Sequence, residues 1–282
     1  MKSLLQTIKD NAALIDAEML RLLVGGETPY KVLTDSMAYS AGEGGKRIRP
    51  YLTLEVCRML GGRDEAALPY ACAIEMIHTY SLIHDDLPCM DNDEIRRGKP
   101  TNHIVYGEAN ALLAGDALLT KAFGVAVSNS FVTAGNAIEA IKLLSENAGV
   151  DGMIGGQVLD LEGEKRILTE AEHLMMNRMK TGCLIRTAAL LGCLAAGYGE
   201  ATPEYTAVKK YSENVGLAFQ IEDDILDIGT EDNKTTFLSF MTEAEAQGKI
   251  DELTNGAIEA ISEFKNNETL TFFARYLSKR EL

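Results

Sequence analysis

The 282-residue chain has no tryptophan and only 6 prolines, and it contains no alternating apolar and polar run of strand length. No Asn-Gly or Asp-Gly hairpin signal stands between such runs, so a sheet-based fold is excluded. Basic residues are scarce as well. Against 42 Asp and Glu there are 27 Lys and Arg, a formal net charge of −15. A nucleic-acid binder needs a basic face to displace counterions from phosphates, and nothing here supplies one. The five cysteines, Cys57, Cys72, Cys89, Cys183 and Cys193, lack paired metal-site spacing and mostly sit in apolar runs. Reduced, buried thiols in a cytoplasmic protein are expected. Lys9, Asp10 and Asp16 interrupt the N-terminal segment, leaving no leader-like apolar core. No stretch reaches the roughly 20 apolar residues of a membrane span. The four histidines offer no zinc-like spacing, and no serine or cysteine has the neighbourhood of a catalytic nucleophile.

What remains is helix. Long stretches between Pro100 and Pro203, and after Pro203, carry apolar residues at three- and four-residue spacing, as in Leu184, Ile185, Ala188, Leu191 and Leu194. At 46% hydrophobic the chain can bury a large core. The pattern predicts an all-α bundle of about ten helices forming one domain over 1–282. One helix is expected from Pro69 to Asp86, ended by Pro88. A second contains Gly155, Gly156, Gln157 and Asp160, where glycines are costly unless something packs close. A third runs from Pro203 to Asp227.

Two acidic clusters stand out, Asp85-Asp86 with Asp91 and Asp223-Asp224 with Asp227. Asp223 and Asp227 lie one helical turn apart. Both clusters fall at helix C-terminal ends, the wrong end for negative charge on dipole grounds. A bound divalent cation offsets that mismatch, and hard cations held by carboxylates suit a phosphate-rich substrate. Asp91-Asn92-Asp93 resembles the opening of a calcium loop, but Arg96 stands where the loop requires glycine. Arg96 and Arg97 suit a diphosphate instead. Upstream, Gly44-Gly45-Lys46-Arg47-Ile48-Arg49-Pro50 joins a permissive turn to three cations without the spacing of a Walker loop. Lys180-Thr181-Gly182 and Lys234 carry little in isolation.

Together these blocks match a known family. His84-Asp85-Asp86-Leu87-Pro88-Cys89-Met90-Asp91, followed by Arg96-Arg97-Gly98-Lys99-Pro100-Thr101, resembles the first aspartate-rich motif of short-chain trans-polyprenyl diphosphate synthases. The form is the bacterial and plastid one, most like the bacterial farnesyl diphosphate synthases. The Gly44–Pro50 block, Gly115-Asp116, Gly156-Gln157, Lys180-Thr181-Gly182 and Phe219-Gln220-Ile221-Glu222-Asp223-Asp224-Ile225-Leu226-Asp227 follow in the family's order. The resemblance implies the isoprenoid synthase fold around a deep central cavity, a single polyprenyl synthetase domain and a homodimer. It implies condensation of isopentenyl diphosphate with dimethylallyl or geranyl diphosphate, with three Mg2+ ions, for which Mn2+ can substitute. Asp85, Asp86, Asp91 and Asp223 would hold the metals, supported by Asp224 and Asp227. Arg96, Lys180 and Lys234 would bind the allylic diphosphate, and oxygens of Lys180, Thr181 and Gln220 would face its cation. Gly45, Lys46, Arg49, His78 and Arg97 would bind isopentenyl diphosphate.

Tyr80 lies five residues before Asp85, about 7.5 Å along the helix. A chain growing down the helix would meet the Tyr80 ring with Ser81 beside it, an arrangement that the resemblance associates with stopping at C15, the farnesyl length; C20 is the alternative. After Asp227 the family's longer loop is missing, so closure over the second cluster is in question. A non-catalytic partner subunit is the alternative from another class, but such subunits lose aspartates that this chain keeps.

Overall fold

Residues 64–85 form the helix on which the bundle hangs, and they are buried on nearly every side, from Ala66 to Ile83. A helix apolar all round has to be a core helix. The computed structural model describes residues 4–42, 44–226 and 235–279. In chain order the helices are Leu4–Leu23 (α1), Lys31–Ala41 (α2), Ile48–Met59 (α3), Asp64–Asp85 (α4), Asn102–Tyr106 (α5), Glu108–Val127 (α6), Ala134–Ala148 (α7), Met153–Gly163 (α8), Glu170–Asn177 (α9), Cys183–Ala195 (α10), Pro203–Leu226 (α11), Glu243–Ala260 (α12) and Glu268–Leu277 (α13). The all-α expectation holds. Helix α4 packs most extensively on α6, and also on α3 and α10; α11 packs most on α12. Capping boxes start α9 (Thr169 with Glu172) and α12 (Thr242 with Glu245).

Two local expectations need correction. Helix α4 begins at Asp64, so Pro69 falls in its second turn rather than its first. Asp64 and Glu65 suit the positive end of the helix, and Pro69 forfeits only the bond to the Glu65 carbonyl. Residues 95–100 are not an open loop but a hairpin, Ile95–Arg96 (β1) against Lys99–Pro100 (β2). Its two-residue turn is Arg97-Gly98, with φ of 52° and 77°. Left-handed backbone at both positions is the type I′ turn that matches strand twist. Gly98 was the available signal.

Close approaches fix the packing. A Cβ on Gly192 of α10 would fall 2.6 Å from the Thr53 carbonyl of α3. Beside it, Thr53 Oγ1 donates to the Ala188 carbonyl at 2.8 Å. Helix α6 amends the expectation about membrane spans, because it is long and apolar enough to cross one by length and composition alone. It carries Asp116 and Lys121, it packs on α4, and it leaves Leu112 and Leu113 exposed.

One cation of the glycine-rich block turns inward. Arg47 is buried, with Nε 2.8 Å from Asp16 and Nη1 2.6 Å from Glu75, and its Nη2 donates to the Ala41 carbonyl. It joins α1, the end of α2 and α4, and so sets the angle at which the Gly44-Gly45 turn enters α3. Removing one partner from such a buried pair costs roughly 3–5 kcal/mol. Glu75→Gln is therefore expected to lower Tm by about 10 °C in thermal unfolding; an unchanged Tm would make the pair incidental.

Candidate active site

The stretch between Asp85 and Asp91 has a direct structural purpose. After Asp85 the chain turns at Leu87, whose carbonyl accepts from the N–H groups of Met90 (2.9 Å) and Asn92 (3.1 Å). That turn returns the chain so that the Asp91 N–H donates to the Asp85 carbonyl at 2.8 Å. Asp85 and Asp91 thus become neighbours although five residues lie between them. The Asp85 carboxyl is pushed up to about 6, first by burial, against which Lys180 pulls it down; Asp91 then pushes it up again.

Asp86 behaves differently from its neighbour. It is buried, and its Oδ1 accepts from Arg96 Nε at 2.7 Å. Arg96 also reaches Asp93 at 3.8 Å. Asp86 is thus paired with the hairpin arginine, while its charge still acts on Asp85 beside it. Adjacent helical residues point about 100° apart, which is why one can face the site while the other is sealed behind it.

At the second cluster α11 runs through Asp223 and Asp224 to Leu226. Asp227 and Lys234, with the shortened segment between them, lie outside the described residues. Asp224 Oδ2 accepts the Phe237 N–H at 2.6 Å, and His173 Nε2 lies 3.4 Å away. Among the described residues no three His, Cys, Asp or Glu side chains already form a metal-binding group. The donors are nonetheless carboxylate oxygens throughout, and Asp85 carries a desolvation penalty that a cation would relieve. By donor chemistry the residues fit Mg2+ or Mn2+.

The cations gather at a separate place on α4. Arg97, held left-handed in the hairpin turn, lays its guanidinium over Gly45, where an added Cβ would meet Nη1 at 2.8 Å. Gly45 has a φ of 123°, a backbone conformation that favours glycine. Arg97 Nη1 also donates to the Gly44 carbonyl. Arg49 Nε is buried without a hydrogen-bond partner among the described residues. Burial lowers the Arg49 pKa, and the Arg97 charge adds to that. His78 is held well below the ordinary imidazole range by burial and then by the charges of Arg49, Arg97, Arg47 and Arg96. Guanidinium groups converging on a neutral imidazole make a site short of an anion. Lys46 stands exposed at its edge.

Lys180 and Thr181 lie in a π turn, Arg178–Gly182, spliced between α9 and α10. Such single-turn bulges concentrate at functional sites. Gly156 of α8 accommodates it: a Cβ there would fall 2.2 Å from the Lys180 backbone nitrogen. Lys180 Nζ pairs with Asp160 Oδ2 at 2.5 Å, one turn beyond Gly156. The close packing expected of the helix glycines is confirmed, and Asp160 emerges as the partner that aims Lys180. Gln220 lines a cavity of about 650 Å³ with Gly182, Leu217, Phe237 and Leu253. His173, which sequence reasoning set aside, proves to be the neighbour of Asp224.

Tyr80 is buried, its ring edge-on to His84 at 5.7 Å, and its hydroxyl has no partner among the described residues. Burial pushes the phenol up to about 12. Ser81 donates to its own helix at the His78 carbonyl, 2.9 Å away. His84 Nε2 meets the Leu112 carbonyl at 3.0 Å across Gly115, where a Cβ would strike the ring at 2.1 Å.

A polyprenyl synthetase family model matches residues 30–243. The chain belongs to that family. A geranylgeranyl diphosphate synthase of Cyanophora paradoxa is 46% identical over 247 residues, covering 82% of each chain. A farnesyl diphosphate synthase of Geobacillus stearothermophilus is 42% identical over 260 residues, covering 87% of this chain and 86% of its own. Among solved structures, an apo FPP/GFPP synthase of Zymomonas mobilis superposes with a TM-score of 0.91 at 36% identity, over 98% of this chain and 99% of that one. The polyprenyl synthetase chain is thus a prenyltransferase with the isoprenoid synthase fold.

The raised Asp85 carboxyl has a consequence for stability. Its folded pKa exceeds the unfolded value of 3.8, so the penalty is felt above about pH 6 and fades as the pH falls toward 4. Without divalent cation, Asp85→Asn is expected to gain roughly 1–2 kcal/mol at pH 7.5. Thermal unfolding would show this as about 2–6 °C, while turnover falls more than about 100-fold. A variant no more stable than the parent at pH 7.5 would show that Asp85 bears no such penalty.

Proposed function

We propose that this chain condenses isopentenyl diphosphate head to tail with dimethylallyl and then geranyl diphosphate, and releases the C15 farnesyl product. The observation that carries the reading is the charge arrangement on α4. A guanidinium group around His78 and a carboxylate pair at Asp85 and Asp91 sit about 10 Å apart along one helix. One end suits a diphosphate directly, and the other suits a diphosphate together with cations. Two diphosphates side by side are what a prenyl condensation requires.

In this reading Asp85, Asp91 and Asp223 hold the metal ions, with Asp224 and Asp227 supporting and Asp86 serving to orient Arg96. When bound, Mg2+ supplies Lewis-acid charge at the departing diphosphate. Lys180, Arg96 and Lys234 add positive charge set in place beforehand, so little reorganisation accompanies departure. Arg49, Arg97, Lys46 and His78 hold the isopentenyl diphosphate, with the Gly45 backbone closing under Arg97. The resulting allylic cation lies against the apolar face of α4, which excludes water. Thr181 and the Lys180 carbonyl face it. The isopentenyl double bond attacks, and the released diphosphate takes the proton, so no side-chain base is needed.

Tyr80 favours C15 over C20. Its buried ring stands one and a half turns before Asp85, on the path of a chain growing down α4. A C20 product remains the second reading because relatives of similar identity carry both names.

We also propose a homodimer. Ile104, Val105, Leu112 and Leu113 leave an apolar face on α5 and α6, with Ile154 and Val158 exposed on α8. Sedimentation should then give a dimer that Leu113→Glu dissociates; a monomeric parent chain would refute this.

Mass spectrometry of products from isopentenyl diphosphate, Mg2+ and either primer tests the activity. A dominant C15 product is expected, lengthening in Tyr80→Ala. Unchanged length in that variant removes Tyr80 as the floor, and no product from the parent chain favours the non-catalytic subunit.

A further inference from the structure

One buried imidazole joins α9, the end of α11 and the turn at Phe237. His173 on α9 is 2% exposed. Its ring stands edge-on to Phe237 with centroids 4.7 Å apart and lies 6.1 Å from Phe240. Its Nε2 is 3.4 Å from Asp224 Oδ2 and 3.0 Å from Asn177 Nδ2. The same Asp224 oxygen accepts the Phe237 N–H. On the far side, the Leu168 N–H donates to Thr235 Oγ1 at 3.2 Å. Helix α9, the end of α11 and the 3-10 turn Phe237–Ser239 therefore meet at one ring.

Packing alone does not account for an imidazole at this point. His173 Nδ1 is buried without a partner among the described residues. Burying a polar atom unsatisfied costs on the order of 1–3 kcal/mol. A leucine or phenylalanine would fill the space between α9 and Phe237 at no such cost. The compensation lies at the other nitrogen, which is directed at a carboxylate of the second acidic cluster. Asn177, one turn on, donates to the His173 carbonyl at 3.1 Å and stands beside the same Nε2 at 3.0 Å.

We propose that His173 is a positioning residue for the second acidic cluster. In the tautomer that carries its proton on Nε2, His173 orients the Asp224 carboxylate from 3.4 Å, and its ring seats Phe237, so that Asp224 and the Phe237–Ser239 turn are held as one unit. This rests on the synthase reading for what the cluster binds. Groups that orient metal-binding carboxylates through a hydrogen bond typically contribute 10–100-fold in metal affinity.

The test uses the full chain and two variants. His173→Phe keeps the ring and its contacts with Phe237 but lacks the nitrogen. His173→Gln restores an N–H at about the same reach. The first readout is the Mg2+-dependent rise in Tm in the presence of inorganic diphosphate, which needs no turnover. The second is the pair of KM values for geranyl and isopentenyl diphosphates. His173→Phe is expected to need about tenfold more Mg2+ for the half-maximal rise. Its Tm without Mg2+ should match the parent, its geranyl diphosphate KM should increase, and its isopentenyl diphosphate KM should be unchanged. His173→Gln should recover most of the loss. Parent-like Mg2+ dependence in His173→Phe overturns the proposal, as does an equal loss of Tm in both variants without Mg2+, which would leave a packing role only. A parent chain without turnover, whose Mg2+ response His173→Phe weakens, defeats the synthase reading and keeps this one. Absence of any Mg2+ response in the parent defeats this one.

Discussion

Charge held out of water on a single buried helix is the constraint around which the other elements are arranged. Helix α4 carries a neutral imidazole among guanidinium groups at His78 and a desolvated carboxylate at Asp85. Like charges cannot be crowded in a poorly solvated region without cost, so each group is partly balanced by an element brought from elsewhere. Lys180 approaches Asp85 from the π turn, Glu75 offsets Arg47 and Arg49, and Asp86 takes Arg96. The remaining imbalance is what two anionic substrates and their cations would complete. Stability is given up locally so that binding can restore it, a usual arrangement where function requires a preformed electrostatic field.

Much of this was legible in the residues because the chemistry is unusual. Three carboxylates beside an apolar helix, and an arginine where a calcium loop needs glycine with a second one following it, are costly placements unless cations and a phosphate-bearing ligand balance them. What the sequence could not show is which way each side chain turns. Asp85 and Asp86 are chemically identical neighbours, and only the hairpin that brings Arg96 back distinguishes them. Arg47 looked like one of three equivalent cations, but its left-handed backbone at the entrance to α3 turns it toward Asp16 and Glu75. The hairpin was hidden because its turn is Arg-Gly rather than Asn-Gly. His173 was hidden because its partner Asp224 lies 51 positions away in a different helix, beyond the reach of any local pattern. The π turn left no local trace at all.

Glycines define several of the distances that matter. Gly45 admits Arg97, Gly115 admits the His84 ring, and Gly156 admits the Lys180 backbone, each where a single carbon would collide. These are different elements: two admit a side chain against the backbone, and the third admits the backbone that carries Lys180. Interiors packed at crystal-like density transmit such contacts with little slack, so the positions of the charged groups are set as much by missing side chains as by those present.

The π turn between α9 and α10 also separates two jobs that one continuous helix would have to share. One residue more than an α-helical turn needs rotates everything beyond it by about 100° relative to what precedes it. The first half of this interrupted helix turns His173 and Asn177 toward Phe237, while the second half packs Ala188 and Gly192 on α3. Without the extra residue the two faces would be locked in one phase, and a substitution suited to one neighbour would be judged by both. With it, the half that borders the acidic site can drift in sequence while the half that builds the core stays in register.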